Sequence, residues 1–250
     1  MNGGDQAARA RAFISALDLP PPPPRTRSGP GEEPDPEASG ALAVGGNLVE
    51  FGPGAAPGLR RAVTDALLLA QLAADKSGAA TPDLWYETYR EVLGHIGFRS
   101  EGLTRTAQSF GSDDAELHEA ILPVLTAAFA GAAVPAIVLE TLRQLSDANA
   151  DRPWITLFER ESRRFDARQF QVSLVDGGET EQTVKLVGFA VDLGHGSTQV
   201  LFFRHAADSV AVERVEGRFN ALATTLQEIA PDIADKLSDR RRDYLAALEI

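Results

Sequence analysis

Few side chains in this sequence stand at spacings that suit chemistry. There are four histidines, His95, His118, His195 and His205. No two stand at the HxH, HxxxH or HExxH spacing that brings a pair of imidazoles onto one metal. His195 and His205 flank a segment that reads as a strand, which holds them roughly 20 Å or more apart. Asp192 and His195 lie together at one turn and form the candidate polar site, an acid and an imidazole suited to proton transfer or a weak metal contact. A second group is the charged run Glu159, Arg160, Glu161, Arg163, Arg164, Asp166 and Arg168. Its acids and guanidiniums interleave, which predicts surface ion pairing. The same arginines suit an anionic partner or a phosphate group. No serine sits in a GxSxG elbow. The sequence has no cysteine, which excludes disulfides, thiolate nucleophiles, zinc ribbons and cysteine-held iron–sulfur clusters. We therefore assign no catalytic residue, cofactor or metal from the sequence.

The stretch Asp192-Leu193-Gly194-His195-Gly196-Ser197-Thr198 resembles the phosphate-binding hairpin of the actin-like ATPase fold. There, glycines let backbone amides approach phosphate and the aspartate positions the metal. In that fold the hairpin opens a long nucleotide-binding domain, whereas only 52 of the 250 residues follow Thr198 here. The segment reads as a glycine-permitted hairpin turn with a polar tip. Gly45-Gly46 and Gly52-Pro53-Gly54 lead into neither a Walker lysine pattern nor GxGxxG, so they too read as turns.

The elements that must position these groups follow from period. Leu59 to Asp75 is a helix, with Val63, Leu67, Ala70 and Ala74 on one side. Thr81-Pro82 starts another, Asp83 to Gly94, with threonine as N-cap and proline first in the helix. In it Trp85 and Tyr89 are expected to face inward and Tyr86 the surface. Leu48 to Phe51 and Phe98 to Phe110 read as strands, the second polar and exposed. Asp113 and Glu116 give a capping-box start to a helix that Pro123 then kinks or divides. Beyond Pro153 the period changes to two. Phe170, Val172 and Leu174 alternate with Gln171 and Ser173, as in a half-buried strand. Val184 to Leu193 is apolar on both faces and reads as a central strand. Gln199 to His205 and Val210 to Val215 complete a meander of about four strands. Two helices, Phe219–Ile229 and Asp232–Leu248, parted by Pro231, close the chain. The expected fold is α+β, with a helical layer on one face of an antiparallel meander.

Residues 5–19 form a short amphipathic helix with Phe13, Ile14 and Leu17 on one face. Pro20 to Pro24 then make a polyproline spacer, and 25–40 lack hydrophobes and are expected to be disordered. A short apolar peptide on such a tether has the layout of a docking peptide, so Phe13, Ile14 and Leu17 are candidate partner-binding residues. The other reading is a helix that packs on its own domain. The expected organisation is an arm, 1–40, and one domain, 41–250: mainly helical over 41–150, a meander over 151–215, and helical over 216–250.

Composition narrows the function classes. With 44% apolar residues the chain can bury a sizeable core, and its net charge of −12 argues against nucleic acid and against electrostatic docking on an anionic membrane. Ala120 to Leu139 is an uncharged run of twenty residues, long enough to span a bilayer, yet it holds Pro123, Gly131 and Pro135. Two buried helices joined near Gly131 are favoured over a membrane-inserting hairpin. Arg9, Arg11 and Asp18 interrupt any secretory apolar region, and a cytoplasmic location, or export without a cleaved signal, is expected.

VGGNLVEF, LRRAVTDALLLAQLAADK, LWYETYREVLGHIGF, FQVSLVD and the hairpin ending VLFF together resemble a widespread group of uncharacterised small bacterial and fungal proteins. The resemblance spans residues 44–205. It implies one coherent domain and carries no activity. The leading expectation is a non-enzymatic binding or assembly protein, tethered to a protein partner through its arm. The alternatives are a membrane-active effector inserting 120–139 and an enzyme with a site near 192–198.

Overall fold

On one strand, Phe170, Val172 and Leu174 face one side while Gln169, Gln171 and Ser173 face the other, and both sets are buried. A strand covered on both faces lies inside a sheet with cover above and below. The computed structural model, which describes residues 3–22, 33–111, 117–129, 152–164, 167–191 and 209–248, shows this arrangement.

The chain begins with α1 (Gly3–Ala16), the hairpin β1 (Ala41–Val44) and β2 (Asn47–Phe51), then α2 (Arg60–Lys76) and α3 (Pro82–His95). Next come β3 (Arg99–Gly111), α4 (Leu117–Ala128), α5 (Pro153–Glu161) and the short β4 (Arg163–Arg164). Then follow β5 (Ala167–Gly177), β6 (Glu181–Val191), β7 (Ser209–Leu222), α6 (Ala223–Lys236), α7 (Arg241–Tyr244) and β8 (Leu245–Ala247). The sheet runs β3-β7-β6-β5-β2-β1-β8, with β4 added beside β5. Every described pairing is antiparallel except β2 with β5, where Asn47 pairs Gln171 and Val49 pairs Ser173.

Helices α1, α2, α3 and α6 cover one face, where Ile14, Leu67, Leu93 and Leu226 join Val49, Val175, Leu186 and Phe219 in one apolar cluster. Helices α4 and α5 cover the other, where Leu125, Phe129, Trp154 and Phe158 join Phe170, Val172, Leu174 and Phe189. The expected mixture of helices and a mainly antiparallel sheet is present. The sheet is wider than a four-stranded meander, and helices cover both faces rather than one. β1, β2, β3 and β8 come from outside the meander and extend it at both edges.

Five local expectations differ from the structure. Gln171 and Ser173 were expected to face water and are buried, because α2 and α3 cover their face. Tyr86, expected at the surface, is 1% exposed. Its hydroxyl lies 1.8 Å from where a Cβ on Gly188 would stand, so the bare backbone of β6 makes room for the ring. Phe219 and Leu222 belong to β7, which pairs β6 through Phe219–Val184 and Leu222–Glu181, rather than to a helix. Pro231 lies inside α6 instead of parting two helices. Leu226, Ile229, Ile233 and Leu237 form one continuous buried stripe past it, and Gln227, whose carbonyl loses its donor, is exposed to water. The closing helix expected over 232–248 also breaks, into the short α7 and the strand β8.

The N-terminal arm is also different from the expectation. α1 lies on α6: the Arg11 guanidinium donates to the Glu228 carbonyl at 3.0 Å, and Lys236 Nζ donates to the Ser15 carbonyl at 3.0 Å. Residues 33–40 sit against the start of α2. The Glu37 carboxylate accepts from the amides of Gly58 at 2.7 Å and Arg61 at 3.0 Å, and Arg61 pairs with Glu33 at 2.9 Å. An acid there satisfies a free amide of the first helical turn and complements the helix dipole. Thr81 caps α3 as expected, its hydroxyl accepting from Leu84 N at 3.3 Å.

Candidate functional site

The hairpin turn between β1 and β2 is where the site starts. Gly45 takes φ +55°, a conformation that favours glycine. Gln71, midway along α2, grips the turn: its amide nitrogen Nε2 donates to the Val44 carbonyl at 2.9 Å, and its Oε1 accepts from Gly46 N at 3.2 Å. The Gly46 carbonyl in turn accepts from Gln171 N at 2.8 Å. This fixes the end of the sheet against α2, one turn before Ala74 and Asp75.

A cleft of about 340 Å³ opens there, lined by Ala74, Asp75, Ala79, Trp85, Arg160, Glu161 and Arg163. Each lining group is placed by an element end. Asp75 is in the last turn of α2, Trp85 in the first turns of α3, and Arg160 and Glu161 end α5. Ser162 stops α5, its hydroxyl donating to the Phe158 carbonyl at 2.6 Å, and turns the chain into β4 with Arg163. Trp85 Nε1 donates to Asp75 Oδ1 at 2.7 Å. Arg160 Nε donates to Glu161 Oε1 at 2.6 Å, and its Nη2 donates to the Asp243 carbonyl at 2.7 Å. The same guanidinium lies 5.5 Å over the Tyr244 ring. Burial, with Glu161 and Asp75 nearby and Arg160 and Arg240 opposing, pushes the Tyr244 phenol up to about 12. It is a neutral hydrogen-bonding group at physiological pH. The cleft thus combines two carboxylates, two guanidiniums and an indole.

Behind the cleft lies an uncharged polar row. Gln169, Gln171 and Ser173 follow one another on the α2–α3 face of β5, and Asn47 stands beside Gln171 on β2. All four are at most 2% exposed. Both polar side-chain atoms of Asn47, Gln169 and Gln171, and Ser173 Oγ, have no hydrogen-bond partner among the described residues. Tyr89 Oη, also buried, shares this condition, and burial drives its phenol far above the ordinary range. Leaving a buried polar group unsatisfied costs about 1–3 kcal/mol. Several together would consume a large part of a domain's stability of about 5–15 kcal/mol. The row and the cleft are linked through Tyr86: Trp85 stacks on Tyr89 at 5.3 Å and meets Tyr86 edge-on at 5.0 Å, and the Tyr86 hydroxyl reaches Gly188, the register partner of Gln171. They are linked again at Ser162, whose carbonyl accepts from Gln169 N at 2.8 Å.

Of the residues singled out from the sequence, Arg160, Glu161 and Arg163 come together in the cleft. Asp192 and His195 lie outside the described residues, as do His205 and the capping pair Asp113 and Glu116. His95 stacks on Phe13 at 4.3 Å. The expected docking face of the arm is engaged within the chain: Ile14 is 1% exposed, and Phe13 and Leu17 pack against the same cluster. Packing on its own domain is what the helix does, because α6 and α3 offer it an apolar bed. Gly54 N donates to Asp176 Oδ1 at 2.8 Å, so that glycine pair serves a turn as expected. Among the described residues no group of three or more histidine or acidic side chains is placed to hold a metal ion. Among them, too, no helix is long and apolar enough to cross a membrane; 130–139 of the uncharged run lie outside.

The sequence points to neither Asp75 nor Gln169, and it marks Trp85 as an inward-facing aromatic and Gln171 and Ser173 as the polar side of a strand, not as site residues. The available signal is a contradiction: carboxamides on a strand whose neighbour, Leu186 to Val191, is apolar on both faces.

No family model matches the chain, and no curated protein matches it. Among solved structures, that of the Evf virulence factor is similar over 91% of this chain and 89% of that chain, at 12% identity and a TM-score of 0.38.

Proposed function

We propose that this chain is a non-enzymatic binding protein whose ligand is a small polar molecule seated in the cleft at the end of the sheet. The observation that carries this reading is the convergence of Asp75, Trp85, Arg160, Glu161 and Arg163 around about 340 Å³. A concave site with a few convergent polar groups and an aromatic wall is the usual form of a ligand pocket. The two carboxylates already accept hydrogen bonds, Asp75 from an indole and Glu161 from a guanidinium. They serve as fixed acceptors that orient a ligand rather than as a proton-exchanging pair.

The test uses Trp85 as reporter. The chain has two tryptophans, so Trp154→Phe leaves the indole of the cleft alone. Titration with a library of small polar metabolites should give a saturable change in its emission. Arg163→Glu, which reverses charge at an exposed cleft position, should abolish or strongly weaken that response. A library-wide absence of saturable change would refute the reading.

A further inference from the structure

We infer that the cleft takes a small zwitterion of the α-amino-acid type, its carboxylate on the Arg163–Arg168 pair and its ammonium group toward Asp75. The inference deepens the proposed function and rests on the cleft being a ligand site.

Four observations lead to it. First, Arg163 on β4 and Arg168 on β5 are partners in register. Side chains directly opposite on antiparallel strands share a face, with Cβ atoms about 4.5–5.5 Å apart, and like charges there are destabilising. Arg163 lines the cleft, so Arg168 stands beside the same opening. Burial, and next Arg163, hold the Arg168 guanidinium below its ordinary range, with Glu159 opposing. An anion set between two guanidiniums turns their repulsion into attraction, and each planar fork matches the two oxygens of a carboxylate. Second, the acids of the cleft lie on other elements. Asp75 is in the last turn of α2 and Glu161 ends α5. Trp85 Nε1 donates to Asp75 Oδ1 at 2.7 Å, and an uncharged donor orients that carboxylate without cancelling its charge. Third, the lining carries both signs in equal number, Asp75 and Glu161 against Arg160 and Arg163. A guest with a single charge gives up hydration and meets a repelling group for each attracting one, whereas a dipolar guest sets an opposite charge against each sign. Fourth, about 340 Å³ is at the small end of the roughly 300–1,000 Å³ of ligand pockets, which suits a molecule the size of one residue. Arg160 donates to Glu161 and to the Asp243 carbonyl and so fixes the wall. The carboxylate of the guest is therefore assigned to Arg163 and Arg168.

The experiment is calorimetric titration of the full chain with L-alanine, L-serine, L-glutamine and L-leucine, with Trp85 emission in Trp154→Phe as a second readout. The N-acetyl derivative of each, which lacks the ammonium charge, and the amide of each, which lacks the carboxylate, are the controls. At least one free amino acid should bind saturably, and both of its end-blocked forms at least tenfold more weakly. Arg168→Lys keeps a charge near Glu159 but loses the fork, and Asp75→Asn keeps an acceptor for Trp85 but loses the charge. Each should weaken binding of the free amino acid tenfold or more while far-UV dichroism stays unchanged. Should either fail to fold, Arg163→Gln, at an exposed position, decides with the wild-type panel. Failure of every free amino acid to bind, binding unaffected by blocking either end, or binding indifferent to the folded variants would overturn the inference. A neutral molecule whose saturable Trp85 response is lost in Arg163→Glu but intact in Arg168→Lys would keep the proposed function and end this inference alone.

Discussion

Removing Arg241 should cost this protein a large share of its stability, and the loss should fade in acid. Arg241 Nε lies 2.8 Å from Asp65 Oδ1 and its Nη2 lies 2.6 Å from Oδ2, a two-pronged ion pair joining α2 to α7. The Asp65 side chain is 3% exposed and that of Arg241 14%, so solvent screens the pair weakly. Arg241→Ala strands a carboxylate in the interior. Breaking a buried pair from one side costs about 3–5 kcal/mol. With a urea slope of about 2–3 kcal/mol per molar, the unfolding midpoint should fall by roughly 1–2.5 M. Burial already raises the Asp65 carboxyl from its ordinary 3.8, although Arg241 pulls it down. Without the guanidinium it should rise further. An acid whose folded pKa is raised binds its proton more tightly when folded, so the associated stability is present below about 3.8 and is lost as pH rises through the folded value. The deficit of Arg241→Ala should therefore be greatest near neutral pH and shrink as pH falls toward 4. Asp65→Leu with Arg241→Met should restore most of the loss, since an apolar pair of similar volume carries no desolvation penalty. Urea melts of the three proteins at two pH values check this. A loss under about 1 kcal/mol, or one equal at both pH values, would refute the argument.

Two further outcomes follow from close contacts. Gly188→Ala places a Cβ 1.8 Å from the Tyr86 hydroxyl and should cost about 1–3 kcal/mol or more; combined with Tyr86→Ala, the two losses should fall short of their sum, and strict additivity would show that the ring does not sit on the glycine. Gln71→Ala removes both bonds to the β1–β2 turn and should lower stability by about 1–3 kcal/mol in thermal melts, whereas a loss within error would remove the turn clamp from the account.

Local signals suffice where one short segment carries its own instructions. Thr81 and Pro82 mark the start of α3, the apolar spacing of Val63, Leu67, Ala70 and Ala74 marks α2, and the polar stretch from Phe98 to Phe110 coincides with β3. The charged run around Arg160 and Glu161 was also visible, though as surface pairing rather than as the rim of a cleft. The burial of Gln171 and Ser173 is not contained in their alternation. Period two says that a strand has two kinds of face, but it does not say what covers the second. Phe219 and Leu222, three residues apart, fit a helical stripe, but pairing with Val184 and Glu181 selects a strand, on which they face opposite sides, Phe219 buried and Leu222 exposed.

The residue types and their short-range order were enough to establish an acidic, cysteine-free chain with helices and strands in roughly the observed sequence. Only the tertiary structure set the width of the sheet, the cover on both its faces and the seating of α1. Those features depend on distant partners, above all the parallel pairing of Asn47 with Gln171, and no local window contains both strands. The cleft depends on the same long-range closure, because Asp75 and Trp85 lie on α2 and α3 while Glu161 ends α5, far along the chain.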